Sequence, residues 1–594
     1  MCAVAGIVDW DRPAESLLSA SLQMSETLAH RGPDSEGHWQ DPGVALSHRR
    51  LALIDLEGGR QPIADPTGRY VLVFNGEIYN YRELRNELRP DYPFQTESDT
   101  EVLLAAWTRW GKNCLSRLNG MFVFFVWDRE SRTGFAARDA LGIKPLAYRF
   151  KNGTFAFASE AKALLPLPET APRAELEAIL EYLVAPCFSG VSTSPFQDIE
   201  YLQPGECLRI SRDGLQLETW TNFFDQPDRW INGKELPDLN GLHTILPKAV
   251  ERALTSDVPV GTYLSGGFDS TLITAQAKRL GHHNLKAFSI AFDGHEKFDT
   301  DHSGIVISDD CPFAREAARE IGVDLEFVPV ADRSINDLLK EVARTNDALP
   351  AWEQELAQHS LARVAAGQYK AILVGDAADE THYGYQFLLS DEACRSPSQI
   401  FKDRFAAPIR RSVMSDPIAH FDEKYRALVA GSEHNWDSAE GRRGATTYLI
   451  VKRWLPRLLH NGDIHSMAHS LEARVPFGDT ELLAFAESVP PVLGFQNGRE
   501  KSFLRDASNG LLPEAIRTRT KSALPKPPLG WRAFREELRS DLDGTLDLAG
   551  AILDPDMIRN LITRDTPANE AEQSLLFRLA ALKHWFKHFK VSWS

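Results

Sequence analysis

The sequence predicts two structural classes in succession: a layered α+β domain with much antiparallel sheet, then an α/β domain with a parallel sheet and a helix-rich C-terminal part. A length of 594 residues is too great for one hydrophobic core and asks for at least two domains. Up to about residue 215, short apolar or alternating runs are punctuated by turn residues, the pattern of strands in sheets. Further on, strand patterns alternate with helical ones, which implies parallel strands joined by helical crossovers.

In the first part VLVFNGEIYN, GMFVFFVWDRE, TGFAARDALGI and GTFAFASEAKA read as strands, while SLLSASLQMSETLAHR, TEVLLAAWTRWG and AELEAILEYLVAP carry helical spacing. Residues 222–240 lack sustained periodicity and form the expected linker, leaving domains 1–221 and 241–594. HTILPKAVERAL then predicts a helix, GTYLSGG a strand entering a glycine turn, and STLITAQAKRLG the next helix. LKAFSIAF, LEFVPV and YKAILVG continue as strands, with CPFAREAAREIG and LARVAAGQ as helices between them. FDTDHSGIVISDD reads as a flexible surface loop, and helical patterns dominate from about Ile400.

With 43% hydrophobic and 25% charged residues, and no long apolar run, the chain is expected to be soluble and cytoplasmic. A formal net charge of −17 argues against broad nucleic-acid or anionic-membrane binding. The six cysteines show neither zinc-ligand spacing nor a disulfide framework. Most are expected to be buried thiols.

GTYLSGGFDST sets Ser265, Gly266, Gly267, Phe268, Asp269 and Ser270 between a strand and a helix. Glycines let backbone N–H groups approach an anion, the helix N-terminus adds partial positive charge, and both serines can donate, which suits pyrophosphate. Asp269 beside a phosphate needs a cation, here read as Mg²⁺. ILVGDAADE brings Asp376, Asp379 and Glu380 to the same sheet edge, with Asp379 as the second expected Mg²⁺ ligand.

Cys2 follows Met1 directly, and removal of Met1 would leave a thiol beside a free α-amine able to act as its base. Such a group can attack a carboxamide, form a thioester and release ammonia. FNGEIYN offers Asn75 and Gly76 as oxyanion donors and Glu77 for an ammonium; Arg50 suits a carboxylate, and Asp99 is a second ammonium ligand. A ligand with carboxylate, ammonium and carboxamide is glutamine.

These residues resemble the glutamine-hydrolysing asparagine synthetases and related amidotransferases, over nearly the whole chain. MCAVAGI, HRGPDSEG, SHRRLALIDL, FNGEIYNY, ESDTEVLL, GMFVFFVWD and ARDALGIKPL are similar to blocks of the amino-terminal-nucleophile glutaminase domain. VPVGTYLSGGFDST, AFSIAFDG, GDAADE, SMAHSLEARVPF and REKSFLRDA are similar to those of the ATP-pyrophosphatase synthetase domain. The resemblance implies Cys2 as nucleophile, the glutamine-site roles above, and an ATP site of Leu264, Ser265, Gly266, Gly267, Asp269, Ser270, Ile290, Val374, Gly375 and Lys501. It gives Lys501 a further role in catalysis, steadying the developing negative charge, and implies an internal ammonia tunnel, ATP and Mg²⁺ as requirements, and a possible homodimer.

Departures from the family text cluster on the acceptor side. Asp376 and Ala377 stand where the family has glutamate and glycine, so a carboxylate near the reacting centre is one methylene shorter. The run Asp463, Ile464, His465, Ser466, Met467 lacks the family arginine, and Gly478 replaces a leucine. His465 either enters the acceptor site or packs within a helix. The acceptor is therefore aspartate or a specialised carboxylate such as a sugar uronate, a peptide carboxyl or a biosynthetic intermediate. A β-lactam-synthetase-like ligase that needs no glutamine, or a non-catalytic homologue, are the alternatives.

Overall fold

The computed structural model describes residues 2–593, except 168–171, 226–237, 293–308, 331–334, 391, 393, 433, 435, 523–529 and 565–567. Most of the expected linker and of the FDTDHSGIVISDD loop lie outside the described residues.

Twelve strands build the first part: β1 (Ala3–Val8), β2 (Ser35–Asp41), β3 (Val44–Arg50), β4 (Ile63–Ala64), β5 (Tyr70–Ile78), β6 (Gly120–Asp128), β7 (Thr133–Arg138), β8 (Ala147–Lys151), β9 (Thr154–Ala158), β10 (Glu200–Tyr201), β11 (Glu206–Ser211) and β12 (Gly214–Thr219). They form two six-stranded antiparallel sheets, ordered β10-β8-β9-β1-β3-β2 and β12-β11-β7-β6-β5-β4. Val4, Leu46, Val73, Phe125 and Phe157 close the space between the sheets. The rings of Phe125 and Phe157 stack at 4.5 Å.

Burial on both faces explains why β6 reads as an unbroken apolar run rather than an alternating one. Val123 and Phe125 face the other sheet, while Phe122 and Phe124 meet an outer cluster containing Leu84 and Val102 from the helices Tyr81–Leu88 and Asp99–Trp110. Leu17 and Met24 of the helix Ala14–Thr27 cover the outer face of β1. The layers run helix, sheet, sheet, helix, as the α+β expectation has it.

The second part holds one parallel sheet of β13 (Val260–Tyr263), β14 (Lys286–Phe292), β15 (Asp324–Val330), β16 (Ala371–Leu373) and β17 (Glu472–Arg474), ordered β15-β14-β13-β16-β17. The chain runs from β13 outward to β14 and β15, then returns to the other side of β13 for β16. The point of reversal lies between β13 and β16, and ligands of open α/β sheets bind at the carboxyl ends of strands there. The loop after β13 is LSGGFDS and the loop after β16 is GDAADE. A helix-rich C-terminal part follows, including Leu455–Met467 and Glu570–Phe589.

Cys114, Cys187, Cys207, Cys311 and Cys394 are buried free thiols; Cys2 is half-buried. No helix among the described residues is long and apolar enough to cross a membrane.

Candidate active sites

β1 carries Cys2 at its start in one sheet, and β5 carries Asn75, Gly76 and Glu77 at its end in the other. Their approach lets the Cys2 backbone nitrogen donate to Asn75 Oδ1 at 3.0 Å. The second amide atom, Asn75 Nδ2, is buried without a hydrogen-bond partner among the described residues. Gly76 has φ +154°, and a Cβ there would sit 2.1 Å from the Met121 carbonyl oxygen, so no side chain fits.

Cys2, Arg50, Gly76, Glu77 and Asp99 line one small cavity of ≈ 30 Å³. Arg50, at the end of β3, donates to the carbonyls of Leu56 at 2.8 Å and Asp55 at 2.6 Å, which pins the covering loop to it. Burial pushes Asp99 up to about 6. Burial, and then neighbouring Glu472, raise Glu77 well above the carboxylate range against the pull of Arg474. Buried carboxyls held high in this way complement a ligand ammonium, whose charge would lower both. Burial also raises the Cys2 thiol.

The second cavity, ≈ 730 Å³, opens at the sheet's point of reversal and is lined by Leu264, Ser265, Gly267, Asp269, Ser270, Ile290, Val374, Gly375, Asp376, Asp379 and Lys501. Gly266 is not among its lining residues. Its φ is +75°, and a Cβ would lie 2.3 Å from the Ala314 nitrogen, so this glycine lets the loop pack on the helix Cys311–Ile321. Gly266 thus has a packing reason for its missing side chain, while Gly267 lines the cavity.

Lys501 Nζ bridges Asp269 Oδ1 at 2.6 Å and Asp379 Oδ1 at 2.5 Å. Lys521, which sequence reasoning missed, pairs with the other oxygen of Asp379. Although burial opposes it, Lys501 and Lys521 hold the Asp379 carboxyl well below the usual range. Arg519 pairs with Asp310 and donates to the Gly266 carbonyl at 3.0 Å. The cluster RTRTK was the available signal for both missed cations. Among the described residues no lysine forms an ion pair with Asp376, and burial pushes it up to about 6 against the more distant pull of Lys521.

His465 packs within a helix, one of its two expected placements, and also reaches the large cavity. It sits buried in the helix Leu455–Met467, its Nε2 is 2.8 Å from Glu355 Oε2, and it lines the large cavity. Glu355 is fixed in turn by the backbone N–H of Ala351 at 2.6 Å and by Asn346 at 2.7 Å.

The glutamine amidotransferase domain model matches residues 1–221, and the asparagine synthase model matches residues 241–587. The chain belongs to the asparagine synthase family. Asparagine synthetase [glutamine-hydrolyzing] 3 of Bacillus subtilis is 29% identical over 100% of this chain and 99% of its own. Asparagine synthetase [glutamine-hydrolyzing] 1 of the same organism is 30% identical over 89% of this chain and 88% of its own. The protein named amidase chry2, of Gibberella zeae, is 26% identical over 86% of this chain and 85% of its own. As an asparagine synthase family member this chain is a ligase, a glutamine amidotransferase whose amidation is driven by ATP.

Family membership also gives meaning to residues between the cavities that motif reading passed over. Arg474 of β17 lies 3.3 Å from Glu77 and 2.6 Å from Glu472. Arg31 donates to the Cys2 carbonyl at 3.3 Å and to Glu160 at 2.8 Å, and pairs with Asp463 on the helix that holds His465.

Proposed function

We propose that the chain makes an amide from a carboxylate acceptor in two coupled reactions, one at each cavity. At the small cavity Cys2, freed by removal of Met1, attacks the glutamine carboxamide carbon. Its α-amine takes the thiol proton, and Asn75 Nδ2 and the Gly76 N–H hold the oxyanion. The tetrahedral adduct collapses to a thioester as ammonia leaves, and water then releases glutamate. Arg50 holds the glutamine carboxylate; Glu77 and Asp99 hold its ammonium.

At the large cavity the acceptor carboxylate attacks the α-phosphorus of ATP, expelling pyrophosphate and forming an acyl-adenylate. Ammonia from the first site reaches it through an internal tunnel and displaces AMP, with Asp376 positioned to accept the proton the attacking amine loses. Ser265, Gly267 and Ser270 bind the pyrophosphate oxygens, and Lys501 neutralises charge there. Asp269 and Asp379 offer hard carboxylate oxygens drawn to one lysine nitrogen, a donor type that suits Mg²⁺, and these two residues would hold it. Bound there, Mg²⁺ supplies charge neutralisation of the phosphates.

The observation that carries this reading is the pairing of Cys2 with Asn75, whose remaining amide donor has no partner among the described residues. It also disfavours a ligase that does without glutamine. The reading divides the chain into a glutaminase at 1–221, a linker at 222–240 and a synthetase at 241–594, and sets it in the cytoplasm, where glutamine and ATP meet. The acceptor is aspartate or a related carboxylate. Incubating the full chain with glutamine, ATP, Mg²⁺ and candidate acids should yield glutamate, AMP and pyrophosphate in step; glutamate release without AMP for every acid would refute it.

A further inference from the structure

The acceptor end of the large cavity is built for something larger than aspartate. One helix lines it lengthwise: Leu458, Gly462, His465 and Ser466 of Leu455–Met467 face it, and Trp454 does so from the π-helical turn Ile450–Trp454 just before. Gly462 marks the reacting centre, since a Cβ there would lie 3.4 Å from Asp376 Oδ2. Trp454 is eight residues earlier, about 10–12 Å away along the helix axis.

At that far end the rings form a wall. Tyr385 stacks on Trp454 at 5.3 Å and 20°, Phe387 on Tyr385 at 5.3 Å and 25°, and Trp352 on Trp454 at 6.5 Å and 20°. All four side chains line the cavity and remain partly exposed. Partly exposed, near-parallel aromatic rings inside a cavity offer a surface on which a planar group can stack.

The charges point the same way. Among the described residues the buried cations lining the cavity, Lys501 and Arg505, are each paired with a carboxylate, as are the part-buried Arg519 and Lys521; Arg404 is exposed. His465, beside Asp376 along the helix, is tied to Glu355. Among the described residues the α-carboxylate of aspartate would find no uncommitted buried cation, and aspartate, about 5 Å long, would leave the ring wall uncovered.

Resting on the adenylation reading above, we propose that the acceptor is a carboxylate carrying a planar aromatic body about 10 Å long, whose ring packs on the Trp352–Trp454–Tyr385–Phe387 wall while its carboxylate lies beside Asp376. Trp454 is then a specificity-determining residue.

The test is ATP–pyrophosphate exchange by the full chain with Mg²⁺, using phenylacetate, 4-phenylbutyrate, 6-phenylhexanoate, hexanoate and aspartate. The aryl acids should support exchange with kcat/KM rising with chain length and at least tenfold above aspartate and hexanoate. Trp454→Leu should lower kcat/KM for the longer aryl acids about three- to tenfold, leave the KM for ATP within twofold, and leave glutamine hydrolysis intact as the control for folding. Phe387→Leu should act in the same direction, more weakly. Exchange with aspartate but not with aryl acids would overturn this proposal and leave the adenylation reading standing. A rise in the KM for ATP in Trp454→Leu would also overturn it, by making the wall the adenine subsite. Absence of exchange with every acid, with glutamine hydrolysis intact, would overturn both.

Discussion

Arg31 and Asp463 form a fully buried ion pair at 2.7 Å, joining the layer beneath Cys2 to the helix that lines the acceptor cavity. Arg31→Met would leave Asp463 facing only Lys144 at 3.5 Å, and would strip Glu160 of one of its partners. The expected cost is about 3–5 kcal/mol of stability, since a buried charge loses its counterion. The double change Arg31→Met, Asp463→Leu should recover part of that loss in thermal or urea unfolding. Additive losses would show that the pair is not coupled.

Cys2→Ala should bring glutamine-dependent amide formation to background while ammonia-dependent formation survives, because only the first cavity loses its nucleophile. Loss of both activities in a folded protein would contradict two separable sites.

Asn75→Ala removes an oxyanion donor and should reduce kcat for glutamine hydrolysis about 10²–10³-fold. Exchange of pyrophosphate into ATP at the other cavity should continue unchanged. A change in glutamine KM alone would place Asn75 in ground-state binding instead.

Asp99 holds an ammonium only when ionised, and its free-enzyme carboxyl titrates at about 6. Protonation on going down through pH 6 therefore weakens glutamine binding, and kcat/KM for glutamine hydrolysis should fall on the acid side of that value. Asp99→Asn should lower kcat/KM at neutral pH. An acid limb of unchanged position and depth in that variant would assign the titration to another group, Glu77 being the nearest candidate.

Lys501→Met removes the bridge between Asp269 and Asp379, and the two carboxylates then repel each other at the phosphate site. Pyrophosphate exchange should disappear while glutamine hydrolysis persists. Asp269→Asn should do the same, and retained exchange in either would remove these residues from the nucleotide site.

What the sequence disclosed depended on how local each signal was. LSGGFDS and GDAADE are contiguous motifs, and the alternation of strand and helix around them placed both at one sheet edge before any coordinates. Cys2 was legible because its position next to Met1 is itself chemical information. Arg474 was not: β17 is three residues long, too short for any periodicity, and its guanidinium matters only through contacts with Glu77 far earlier in the chain. Lys521 was hidden likewise, since a lysine in a polar stretch reads as solvated until Asp379 is seen beside it. Gly266 shows another limit: the motif flags it as special, but its crowding by Ala314 is tertiary and no local pattern discloses it.

The loops proposed to hold phosphate follow β13 and β16, whereas Trp454 and Leu458 reach the same cavity from the turn and helix between Ile450 and Met467. They meet where Tyr385 of the ring wall donates to Glu380 of the loop after β16. Trp454 comes from outside the loops after β13 and β16 and packs on both Trp352 and Tyr385, which makes it the first position to alter when engineering a new amide.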